Sequence, residues 1–147
     1  MFSIFDEIVF AYFAADLLAA VFHFVTDRGW NLPHVVRDFQ NHHERPETMT
    51  FDLQPMLIGL PVGAIGVWSG STFVIALGLF LSVAQVPHYF SHHPAPGWVK
   101  ALQNRRLILP PLVHAKHHTS KSFDRDFSVL NGWSNEFFNW ILGKAGY

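Results

Sequence analysis

The sequence predicts an all-α integral membrane protein: a helical bundle of one span plus a short helical hairpin, closed by a histidine-rich cap that faces the cytosol. Three observations predict it. Half of the residues are apolar and only 14% are charged, where an ordinary soluble domain carries about a quarter. The apolar runs follow the 3.6-residue spacing of helices rather than the alternation of strands. All ten Lys and Arg stand at 28, 37, 45, 100, 105, 106, 116, 121, 125 and 144, with none between 46 and 99. With one span followed by a hairpin, both charged regions share a side, and the positive-inside rule makes that side cytoplasmic.

Residues 8–26, IVFAYFAADLLAAVFHFVT, are apolar apart from Asp16 and His23. At about 1.5 Å per residue they cross most of a bilayer core of about 30 Å and form the first span. The preceding MFSIFDE holds two acids and no Lys or Arg, unlike a cleaved leader, so this span is expected to stay in the mature protein. Residues 28–54 are polar and broken by Asn31, Pro33 and Pro46, a loop with short helical pieces.

From Pro55 to Phe90 the chain has no charge, but Gly59, Pro61, Gly63, Gly66 and Ser69-Gly70 interrupt it. Two helices joined at Trp68-Ser69-Gly70 fit this run. Each arm is short for a span, so a shallow or re-entrant hairpin is expected. The following SHHPAPGWVKALQNRR is amphipathic, with Trp98 among cations, as in chain lying at a membrane interface. The rest mixes apolar, basic and aromatic residues and forms the cap. At 147 residues, without an internal repeat, the chain is one domain, 1–147.

A net charge of −1 leaves no basic surface to neutralise phosphates, which excludes a nucleic-acid partner. The absence of cysteine excludes disulfide frameworks and thiolate-ligated metals. Any metal must therefore take nitrogen or oxygen ligands. Ten histidines accompany eleven acids, and eight of them fall in clusters or helical pairs: His23, His42, His43, His88, His92, His114, His117 and His118. In the stretch HAKHH, His114, His117 and His118 stand at i, i+3 and i+4 and leave one helix face, a place to hold a metal ion. The predicted fold-back brings His23, the 42–43 pair, the 88–92 pair and this triplet to one level. His34 is read as an isolated polar residue, and His93, about 100° from His92 on a helix, as spare or supporting.

Eight imidazoles exceed the four ligands of one zinc ion and match two ions with about four each. A histidine-rich, carboxylate-poor pair of metals beside lipid points to iron handling O2 rather than to hydrolysis. Asp16, Ala20, His23 and Asp27 form one helical stripe. Asp27 can ligate a metal or orient His23. Asp16 lies about 10 Å deeper, where a supporting or hydrogen-bonding role is expected, and an acid inside a span defaults to a functional reading. Two other classes use clustered histidines. A b-type haem carrier would show a strong Soret band. A zinc hydrolase of the HExxH type is disfavoured, since His43-Glu44 runs into Arg45-Pro46.

The ordered segments ADLLAAVFHFVTDRGW, FQNHHERPETMTFDL, HYFSHHPAPGWVKALQNRRLILP, HAKHH and FSVLNGWSNEFFNW resemble, in order and spacing, the lipid desaturase domain of the Kua family. The resemblance covers about Ala14 to Trp140. It implies a membrane enzyme with a histidine-ligated di-iron centre, the eight clustered histidines as ligands and Asp27 beside the first. The expected reaction is O2-dependent desaturation of a phospholipid alkyl-ether or acyl chain, with electrons from a ferredoxin or a cytochrome b5-like protein. A hydroxylase with the same centre is the nearest alternative. The lipid is expected to enter sideways from the bilayer, with its reactive carbons near the headgroups.

Overall fold

The computed structural model describes residues 2–28, 42–43, 45–49, 51, 54–120 and 124–147. His34 and most of the 28–54 loop lie outside these residues. Among the described residues there are helices and no strand: α1 (Ile4–Asp27), a 3-10 turn (Pro46–Thr48), α2 (Gln54–Ser69), α3 (Thr72–Val83), α4 (Gln85–His92), α5 (Gly97–Asn104), α6 (Pro111–Thr119) and α7 (Asn135–Lys144).

The first span starts earlier than its apolar run because Ser3 caps it. The Ser3 hydroxyl accepts from the Asp6 N–H at 3.2 Å, and the Ser3 N–H donates to the Asp6 carboxylate at 2.9 Å, a reciprocal pairing that satisfies two helix-terminal donors. One flank of α1 packs Ala15 and Ala19 with Ala84, Val129 and Leu130. The other packs Ala20 with Phe127, Phe138 and Leu142, which docks α7. The alanines let neighbours approach closely, so α1 is the axis around which the bundle is built.

The hairpin forms where the breakers predict. Gly70 takes φ +67, left-handed backbone that glycine adopts without a Cβ clash, and the Ser71 hydroxyl caps α3 by accepting from the Val74 N–H. The second arm, however, is longer than the sequence suggests. Pro87 excludes the carbonyl four residues back, that of Val83, yet Ala84 stays right-handed helical (φ −58, ψ −28). The helix therefore bends without ending, and α3 and α4 together make a 21-residue apolar stretch. Two helices, Ile4–Asp27 and Thr72–His92, are thus long and apolar enough to cross a membrane, while α2, at 16 residues, spans about 24 Å and remains short. Both long helices keep most of their apolar surface outside the protein core. Exposed Phe5, Phe10, Leu57, Val67, Trp68 and Leu79 form a surface suited to lipid rather than to water.

α2 and α3 cross on glycine. A Cβ on Gly78 would lie 2.6 Å from the Gly63 Cα and 2.7 Å from the Gly59 carbonyl oxygen, backbone atoms that cannot swing away. Small residues at such crossings are how helices approach in lipid. Gly78→Val is expected to destabilise the protein by roughly 2 kcal/mol or more through overpacking. Thermal unfolding in detergent checks this, against Gly143→Ala, where a Cβ meets open space.

The cap is tied down by polar groups. The Gln103 side chain donates to the carbonyls of Phe90 and Leu109 at 3.3 and 3.2 Å, which holds α5 to the end of α4 and to the start of the cap. The Leu109 N–H donates to the Leu130 carbonyl at 2.9 Å. Pro110 and Pro111 then open α6, with Pro111 in the first turn, where its missing N–H costs nothing.

Candidate metal centre

Every histidine of the clustered set lies in one place. His23 and Asp27 come from the last turn of α1, His42 and His43 from the short helical piece at 42–43, His88 and His92 from α4, and His114, His117 and His118 from α6. Two groups result. In the first, ligand atoms of His42, His88, His92 and His114 lie within 4.8 Å of one another. In the second, His23, Asp27, His43 and His117 do the same.

Residues adjacent in sequence are dealt to different groups. The triplet on α6 does not serve one ion as its single face suggests: His114 and His118, four apart, stay together, while His117 turns about 100° away from His118 to the second group. His118 Nε2 lies 3.1 Å from His114 Nε2, so it adds a fifth imidazole to the first group. His42 and His43 divide in the same way, with ring centroids 4.4 Å apart. The two groups touch: His23 lies 5.3 Å from His88 and 5.8 Å from His114, centroid to centroid.

His114 is the hub of the first group. Its Nε2 stands 3.1 Å from His88 Nε2, 3.0 Å from His92 Nε2 and 3.1 Å from His118 Nε2. A neutral imidazole offers one donor and one acceptor, so one nitrogen cannot satisfy three others by hydrogen bonding. Metal–imidazole bonds of about 2.1 Å at right angles put neighbouring nitrogens about 3.0 Å apart, so the spacing is that of ligands around one cation. Burial away from water holds His42 and His114 well below the usual imidazole range and pushes His118 down to about 3. These rings are therefore neutral, as metal ligands must be.

The second group is organised by Asp27. Its carboxylate lies 3.3 Å from His23 Nε2, 2.9 Å from His43 Nε2 and 3.1 Å from His117 Nε2. Two backbone carbonyls set the ring tautomers: His23 Nδ1–H donates to Phe127 O at 2.9 Å and His117 Nδ1–H to Arg125 O at 2.7 Å. With Nδ1–H so engaged, Nε2 of each ring faces a carboxylate oxygen, and in the neutral form that a metal ligand takes it does so with its lone pair. A cation between them converts that repulsion into attraction, and the carbonyls orient the rings in the way outer hydrogen bonds orient metal ligands. The donor set thus fits two metal ions side by side.

Asp16 is fully buried but belongs to neither group. One oxygen accepts from the Ser128 hydroxyl and from the N–H groups of Leu130, Asn131 and Gly132, and the other from the Ser134 N–H and hydroxyl at 2.9 and 2.8 Å. It is the anchor of the 128–134 loop, which continues directly from Phe127. His93 turns away and stacks on Tyr89, with centroids 4.1 Å apart.

Sequence reasoning missed the two carbonyl acceptors, because a backbone oxygen carries no residue signature. The segment FSVLNGWSNEFFNW does hold a signal for the loop: small hydroxyl residues and Asn-Gly, opposite an acid buried in a span.

By fold and site, this is a helical protein with apolar spans and paired histidine clusters able to hold metal ions. The chain belongs to the lipid desaturase domain family, whose model matches residues 12–142. It is similar to a plasmanylethanolamine desaturase from Myxococcus xanthus, 27% identical over 154 aligned residues that cover 89% of this chain and 54% of that protein. The chain therefore spans about half the length of that curated relative. No solved structure matches it.

Proposed function

We propose that this chain is a membrane-bound, O2-dependent di-iron lipid desaturase that introduces a double bond into an alkyl-ether or acyl chain of a phospholipid. The observation that carries the reading is the contact between the paired clusters and an apolar cavity of about 290 Å³ whose wall includes His23. Leu18, Phe22, Ile58, Val62 and Leu81 line the same cavity, a largely apolar surface that matches methylenes.

In this reading His42, His88, His92, His114 and His118 hold one iron and His23, Asp27, His43 and His117 the other. When bound, the pair supplies the oxidising power, with O2 as oxidant and electrons from a donor such as a ferredoxin or a cytochrome b5-like protein, that breaks unactivated C–H bonds. The protein's own residues do the rest. Phe127 and Arg125 carbonyls keep Nε2 of His23 and His117 directed inward. Asp27 offsets part of the metal charge. The apolar wall excludes water and holds the chain against the His23 side. The histidine end of the two apolar helices lies beside the cationic cap, which supports a cytoplasmic position for the centre of a multi-pass protein.

Lipid profiling of a membrane host that expresses the wild type or His117→Ala tests the reading. The wild type is expected to yield phospholipid two hydrogens lighter and to carry about two irons per chain, and the variant to yield none. Identical lipids in both strains, across ether and acyl classes, would overturn it.

A further inference from the structure

The cavity beside His23 contains one feature that lipid hydrocarbon does not explain. Gln85 is only 4% exposed, and its side chain forms part of the cavity wall. Apart from His23, every other lining residue is apolar. No hydrogen bond joins the Gln85 carboxamide to another described residue, and its atoms are not among the fully buried polar atoms that lack a partner, so the amide retains access to the space beside it. An amide that faces an otherwise apolar space gains from any ligand that brings it an acceptor. The surrounding α3 run, TFVIALGLFLSV, shows that an apolar residue suits this depth of the helix.

Position sharpens the point. Gln85 opens α4 and stands three residues before His88, so one helical turn separates the amide from the first cluster. On the opposite side the cavity reaches His23 of the second. A chain lying in this cavity therefore passes the amide beside His23 and one helical turn from His88. Methylenes offer the amide nothing. The oxygen that joins a lipid chain to glycerol is the acceptor nearest to the first carbons of that chain.

We infer that Gln85 is a substrate-recognition residue: its amide N–H donates to the linkage oxygen of an ether- or ester-linked glycerophospholipid chain. This contact fixes the register of the chain, so that the carbons adjoining the linkage lie at the clusters. The inference rests on the desaturase reading for its consequence but not for the binding contact itself.

Three synthetic phospholipids with identical chains test it: ether-linked, ester-linked, and a carba analogue in which CH2 replaces the linkage oxygen. Each is offered to cells expressing the full chain, with product amount and double-bond position read by mass spectrometry. Each is also added to the purified protein in detergent, with thermal stabilisation as the binding readout. The wild type is expected to favour the oxygen-linked lipids over the carba analogue by about tenfold, the worth of one buried hydrogen bond, and to place the double bond at one position.

Gln85→Leu is expected to bring that ratio close to one and to spread the double bond over several positions, with iron content unchanged. Gln85→Asn is expected to restore part of the preference, and Gln85→Met, apolar and of equal length, replaces the leucine variant if that one does not accumulate. A leucine or methionine variant that keeps the wild-type ratio and position overturns the inference alone. Gln85-dependent discrimination in binding, without product from any lipid, overturns the desaturase reading and leaves the recognition contact standing. Comparing the ether and ester arms identifies which linkage the amide serves.

Discussion

His114→Ala is expected to cut the iron content of the purified protein from about two to about one per chain or less, and to lower desaturation of host lipids by at least about a hundredfold. His114 is buried to 1% exposure, and its Nε2 is the common neighbour of three imidazole nitrogens within 3.1 Å. Alanine removes the ligand and leaves a cavity where a ring stood, so the remaining rings lose the spacing that suits one cation. Circular dichroism separates the outcomes: helical content should be retained, since α6 keeps its proline start and alanine favours helix. A variant with full iron and full activity would show that the first group is a structural cluster and not a metal position.

Asp16→Ala should have the largest effect on stability, roughly 3 kcal/mol or more, because it strips the acceptor from several buried backbone N–H groups at once, each worth about 1–3 kcal/mol when left unsatisfied. The donors come from Ser128, Leu130, Asn131, Gly132 and Ser134. Asp16→Asn is the finer probe. Its oxygen can serve one side of the carboxylate's partners, but its NH2 then meets the Ser134 N–H, donor against donor. The asparagine variant is expected to fold with reduced stability in detergent and to bind iron more weakly by roughly ten- to a hundredfold, since a loosened loop shifts the Phe127 carbonyl that orients His23. Wild-type stability and iron affinity in Asp16→Ala would mean that the loop finds its donors other acceptors.

The site was legible to the extent that its spacings were local. His88 and His92, or His114 and His118, share a helix face at four residues apart, and the stripe from Asp16 through His23 to Asp27 follows from α1 alone. The division of the histidines was not legible. His117 and His118 are neighbours in sequence, yet they serve different groups, because a helix turns about 100° between them and what each ring meets depends on which helix packs there. The length of the second span was misjudged for a related reason: each hairpin arm was expected to be short, whereas the backbone at Ala84 stays helical and joins α3 to α4 in one 21-residue stretch. Gln85 looked unremarkable until its cavity was formed.

Composition, helical period and the run of uncharged chain determined by themselves that this protein is all-helical, apolar enough for a bilayer, and supplied with more imidazoles than one metal ion can use. The tertiary structure alone decided which rings share a position, which carbonyls fix their tautomers and what Asp16 holds. The physical reason is range. Helix formation and face are set within a few residues, whereas Asp16 and Ser134 meet across 118 positions of chain, and such a meeting is specified only by how the helices pack.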